Sequence, residues 1–167
     1  MSLSDPAISD KGFGIGFNDP SVNAVSLNDL FSESMRKAQA ANDRLKVIVR
    51  CETLPLVRVN QRDMTQVFDT LIALILSQSV KTSTIYLYID CEESKESVGA
   101  QPATEGWRYF SIRFHTNIST TGNWRDQHAD ALQKCSRIVA SHQGTLQVNS
   151  VVNTGCLYTI SLPGKLQ

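Results

Sequence analysis

The chain has 167 residues, 41% of them hydrophobic, and its sixteen basic and sixteen acidic side chains cancel to zero net charge. That size is one domain able to bury a genuine core; no Lys/Arg cluster is interleaved with aromatics, which argues against a nucleic-acid partner. No run approaches the ~20 apolar residues of a bilayer span, and the opening residues lack the apolar stretch of a secretory signal. Cys51, Cys91, Cys135 and Cys156 are widely spaced with no CxxC pair, so neither a zinc cluster nor a disulfide scaffold is expected, and a reduced, cytoplasmic chain is.

Residues 1–24 are rich in Gly, Ser, Asp and Asn without a sustained period and read as a poorly ordered arm. The folded domain is expected over 25–163, with 164–167 a tail. Ser26 can cap a helix whose Leu27, Leu30, Phe31, Met35 and Ala38 recur at helical spacing, with Asp29 in the favoured first turn. "LKVIVRC" follows as a strand, and "ETLPLV" breaks it. A central helix over about 61–79 carries Met64, Val67, Phe68, Leu71, Ile72 and Ile75 as one stripe. "STIYLYIDC" and "RYFSIRFH" alternate as strands around a polar loop with Gly and Pro. After an irregular stretch a third helix is expected, with Asp126 as its cap, Leu132, Cys135, Ile138, Val139 and His142 on one face, and Gly144 as its left-handed stop. "TLQVNSV" and "GCLYTISLP" close the chain as a hairpin ended by Pro163.

Helix, strand, helix, strand, strand, helix, strand, strand is an α+β order. It predicts a two-layer α/β sandwich: a mixed, mostly antiparallel sheet of about five strands with three helices on one face. "SRIVASHQGTLQVNSVVNTGCLYTISLP", with its helix end, hairpin and Gly-x-x-aromatic-x-aliphatic-x-Leu-Pro close, resembles the C-terminal end of sensor histidine kinases. "VRVNQRDMTQVFDTLIALILSQS" and "VSLNDLFSESM" are similar to two earlier segments of the same ATP-binding domain. The resemblance is to the histidine-kinase-like ATPase superfamily (GHKL, with its Bergerat fold) and spans roughly residues 25–163.

The family's chemistry lies in four motifs, and the chain departs from each. The resemblance places Leu74 where an Asn holds Mg²⁺. Thr70, Leu74 and Gln78 form one helical line, and an isobutyl group supplies no oxygen to a cation that demands several. Phe114 stands where an Asp accepts the adenine amino group, and Thr116 and Ile118 replace glycines that let backbone approach the nucleotide. An adenine amine left unpaired costs ~1–3 kcal/mol. Where a Gly-x-Gly-Leu turn cradles phosphates, the chain has Ala129, Asp130, Ala131 and Leu132, so a carboxylate meets the phosphate site. The last motif keeps only Gly155, among Asn153, Thr154 and Cys156. These are vestigial pocket positions; neither ATP nor a metal is expected to bind.

Other residues attract bland readings. Gly12, Gly14 and Gly16 resemble a phosphate loop but follow no strand. His128 lies in an early helical turn beside acids, His115 at a strand end, and His142 near a helix end, where the family also has a structural His. Glu33, Glu52 and Asp63 lack a partner at hydrolytic spacing, so no catalytic residue is nominated. Two functions are consistent with the chain. One is a non-catalytic, pseudo-kinase module that docks a signalling protein, such as a response regulator or kinase, in a two-component-type pathway. The alternative is a divergent histidine kinase domain that binds ATP through Gln78, Asn117 or Asn123 and transfers phosphate to a partner protein. Oligomeric state is left open.

Overall fold

The computed structural model describes residues 22–78, 84–93, 108–118, 124–151 and 155–165. Ser26 caps the first helix as expected: its Oγ accepts from the Asp29 backbone N–H, and α1 (Leu27–Ala41) buries Leu27, Leu30, Phe31, Ser34 and Met35. Asn60 does the same for α2 (Gln61–Ser77), its side chain accepting from the Asp63 N–H, and α2 buries every residue of the expected stripe. The helix stops two residues short of the expected end.

The strands are β1 (Asn23–Ser26), β2 (Lys46–Cys51), β3 (Leu56–Val59), β4 (Thr84–Glu93), β5 (Arg108–Thr116), β6 (Thr145–Val151) and β7 (Gly155–Lys165). They form one mixed sheet in the order β1-β3-β7-β5-β4-β2, with β6 also pairing β7. Among the described residues β2 and β4 run parallel and the other pairs are antiparallel. Ile85, Leu87 and Ile89 on β4, Ile112 and Phe114 on β5, and Tyr158, Ile160 and Leu162 on β7 are inaccessible or nearly so. They face α1, α2 and α4 (Ala129–Ser141), while the alternate residues face away, which makes a two-layer α+β sandwich.

The sheet has seven strands among the described residues, not five. β1 and β3 are four residues each and pair with each other, too short for alternation to stand out. β1 begins inside the stretch read as an arm, and β3 lies in the segment read as a break because of Pro55. Pro163 does not end the last strand either: β7 continues to Lys165, with Leu56 opposite Lys165 and Val57 opposite Gly164. β6 pairs β7 only as far as Ser161, so Pro163 falls at the changeover between two neighbours, where a missing N–H is tolerated.

Two helix-end expectations are corrected. Asp126 lies inside a one-turn helix, α3 (Trp124–Gln127), and His128 occupies the N-cap of α4 without a side-chain capping bond. At the other end Gln143, not Gly144, takes the left-handed conformation, at φ 67°. The Gln143 and Gly144 N–H groups bond the carbonyls of Ala140 and Val139, a Schellman close. Gly144 is needed for room, since a Cβ there would lie 2.1 Å from the Ser161 carbonyl oxygen. Among the described residues no helix is long and apolar enough to cross a membrane.

Candidate functional site

Between α2, α4 and the ends of β5 and β7 the structure brings together most of the positions singled out in the sequence. Leu74 is buried on α2 at 6% exposure. One turn earlier Thr70 lies near the Cys135 thiol of α4, whose burial raises its pKa while Thr70 acts to lower it. One turn later the Gln78 amide nitrogen lies 3.4 Å from the Tyr158 hydroxyl. The expected line along α2 therefore faces α4 and β7, and its polar ends meet other protein groups.

Phe114 is inaccessible to solvent. Its ring meets Phe68 of α2 edge-on, centroids 5.4 Å apart, and Phe31 of α1 at 6.2 Å. Such edge-to-face contacts add about 0.5–1.5 kcal/mol each beyond simple burial. Tyr158, fully buried, stands directly opposite Phe114 in the β5–β7 ladder. Its part in filling this floor was missed from sequence, although its place as the aromatic of the closing motif was the available signal.

Beyond Phe114 the strand end is used structurally. The Thr116 hydroxyl accepts the Ile118 backbone N–H at 2.9 Å, and Ile118 packs half-buried against the core. Gly155 has φ 143°, and a Cβ on it would lie 2.1 Å from the Thr116 carbonyl oxygen. The surviving glycine thus serves a close approach between two strands. At the start of α4, Ala129 and Asp130 are exposed and Ala131 is half-buried; the Asp130 carboxylate complements the positive end of the helix.

Neither a family model nor a curated protein sequence matches the chain. Solved structures do. A mycobacterial sensor histidine kinase, MprB, aligns over 87% of this chain and 99% of its own at a TM-score of 0.63 and 11% identity. The ATP-binding domain of PrrB from Mycobacterium tuberculosis aligns over 86% and 98% at 0.61 and 15% identity. The nucleotide-free catalytic domain of the histidine kinase ThkA aligns over 86% and 96% at 0.62 and 12% identity. The chain has the histidine-kinase-like ATPase fold.

Within that fold the remaining candidates fall into structural roles. The Asn117 side chain clamps the start of β4, accepting from the Tyr86 N–H at 2.8 Å and donating to the Thr84 carbonyl at 3.1 Å. His142 is buried: its Nε2 accepts the Asn60 N–H at 3.1 Å and its Nδ1 lies 2.8 Å from the Ile138 carbonyl, tying the end of α4 to the start of α2. His115 stands on the outer sheet face, 3.3 Å from Asp90, and His128 caps α4 far from it in the chain. Glu33 pairs with Arg36, Glu52 accepts from the Tyr88 hydroxyl, and Asp63 belongs to the α2 cap. All four cysteines are free thiols; burial pushes Cys51 up to about 11 and raises Cys91. Gly12, Gly14, Gly16, Asn123, Asn153 and Thr154 lie outside the described residues, as do 119–123 of the connection into α3.

Proposed function

We propose that this domain keeps the histidine-kinase-like ATPase fold without its nucleotide chemistry and serves as a cytoplasmic protein-docking or regulatory module in two-component-type signalling. Its partner would be a response regulator or a kinase. The observation that carries the proposal is Phe114. Where the resemblance expects an acceptor for the adenine amine, a phenyl ring is held at zero exposure by two other phenyl rings. Leu74 at the metal-holding position supports the same reading, because its buried side chain offers no oxygen to Mg²⁺. So does Gly155, whose close approach is to Thr116.

The rival reading, a divergent kinase domain that recruits new polar groups for ATP, draws on residues that are engaged within the protein: Asn117 on β4 and Gln78 on Tyr158. Thermal unfolding with and without millimolar Mg-ATP separates the two. A ligand at a hundred times its dissociation constant stabilises by ~2.7 kcal/mol, a shift of several degrees for a domain of this size. The midpoint is expected to stay unchanged; a shift of that size would overturn the proposal.

A further inference from the structure

The other end of the sheet is unfinished. β2 is its terminal strand, bonded to β4 on one side only, and among the described residues nothing pairs with its outer edge. A terminal strand with free N–H and C=O groups is a template for another strand unless bulges, prolines, charged side chains or covering segments blunt it; β2 carries two such charges, the exposed Lys46 and Arg50, which a pairing strand has to match. β2 carries Val47, Ile48 and Val49 in a row. Val47, Val49 and Cys51 are half-buried on the helix side, where with Phe31 and Met35 they line a groove of about 540 Å³ that runs along this edge beside α1. Ile48 is 44% exposed on the outer side, next to its ladder partner Tyr86 at 53%.

We propose that this edge is a homodimer interface, in which β2 pairs antiparallel with β2 of a second copy across a two-fold axis at Val49. Among registers centred on Ile48, Val49 or Arg50, the middle of β2, the side chains favour one. Opposed residues in an antiparallel pair point to the same face, so a continuous sheet requires the axis to pass through a residue. An axis at Ile48 sets Lys46 against Arg50 of the other copy, and an axis at Arg50 sets the two Arg50 side chains against each other; like charges directly opposed are unfavourable. An axis at Val49 sets Lys46 against Glu52, Ile48 against Arg50, Val47 against Cys51 and Val49 against itself. The helix-side pairs are then all apolar, and the outer face carries opposite charges at both ends. Glu52 is still in register, its N–H bonding the Ile89 carbonyl, and Arg50 is held on the outer face over the Tyr88 ring, 5.5 Å from its centroid. The same pairing brings the two grooves, lined by these apolar side chains together with Asn28, Ser32, Arg36 and Gln39, side by side. A net charge of zero leaves no long-range repulsion to oppose association.

Sedimentation equilibrium from 5 to 500 µM tests this, with a dimer of twice 18.5 kDa expected in that range. Lys46→Glu and Glu52→Lys should each weaken it about tenfold or more, since two symmetry-related attractions become repulsions, and the double exchange should restore it. All of these side chains are exposed. Register is read by oxidative cross-linking in a Cys51→Ser, Cys91→Ser background. Val49→Cys should form an intermolecular disulfide, because directly opposed Cα atoms lie ~4.5–5.5 Å apart, whereas Val47→Cys should not, being about four residues, roughly 13 Å, out of register. A monomer throughout the range would overturn the proposal. So would a dimer that ignores both charge reversals, or one that cross-links equally well at position 47.

Discussion

Between α2 and α4 the helical layer is closed down to the sheet: Phe114, Phe68, Leu71 and Tyr158 are inaccessible, and Leu74 nearly so. Beside α1, at the β2 edge, the same sheet is covered only partly, with Val47, Val49 and Cys51 half-buried along an open groove. Both regions are built from strands with apolar residues on the helix side. They differ in what meets those residues: two helices and a ladder of aromatics in the first, one helix and an unpaired strand in the second. In this fold the half where the resemblance places a nucleotide is the better packed of the two, and the half with no assigned ligand is where a surface is left to be covered.

Placing a carboxylate at position 114 is the hardest test of the packed half. Phe114→Asp removes a buried ring, which alone costs about 3–5 kcal/mol, and leaves an unpaired charged or protonated acid between Phe31 and Phe68. Against the 5–15 kcal/mol typical of a domain, the variant should be mostly unfolded at 37 °C by circular dichroism. If it stays folded and gains Mg-ATP binding, the floor is a pocket that had only lost its acceptor.

A smaller effect separates the regions directly. Leu74→Asn should cost ~2–4 kcal/mol in urea unfolding, through lost burial and an unsatisfied amide. Val47→Asn, measured at low micromolar concentration, should cost less than about 1.5 kcal/mol, since its side chain already touches solvent. Equal losses would erase the contrast on which the comparison rests.

How legible these regions were in the sequence follows from the length of the pattern that encodes them. The α2 stripe repeats over about three turns and points unambiguously inward. Counting along it put Leu74 on one line with Thr70 and Gln78, and Leu74 is buried; α1 announced itself through Ser26 and Asp29. β1 and β3 were missed because four residues give two inward positions each, and because Pro55 resembles a terminator when its strand begins immediately afterwards. Gly144 was recognised as necessary, but for the wrong reason: crowding by the Ser161 carbonyl, not a left-handed backbone, forbids a side chain there. Phe114 could be placed on β5 by alternation. Its partners Phe31 and Phe68 could not be named, because they arrive from two helices whose packing no local pattern encodes.

The mildest prediction concerns the outer face of the sheet, where the packing contrast gives way to electrostatics. Arg113 holds Asp90 with two nitrogens at 2.8 and 3.0 Å and reaches Glu92 at 3.2 Å, while His115 approaches Asp90 at 3.3 Å. Partial burial pushes the Asp90 carboxyl up, but the hydrogen bonds and charges of Arg113 and His115 outweigh it, and its pKa is lowered below the ordinary 3.8. A carboxyl lowered by folding contributes stability that is complete above its unfolded value and fades as pH falls through that value and then past the folded one. Arg113→Met keeps the aliphatic stem and removes the charge. It should cost about 1 kcal/mol at pH 7, and its unfolding midpoint should approach that of the unaltered protein as pH falls below about 4, where Asp90 takes up its proton in both. A gap that stays constant from pH 7 to 3 would mean that Arg113 acts through packing on the sheet rather than through the Asp90 charge.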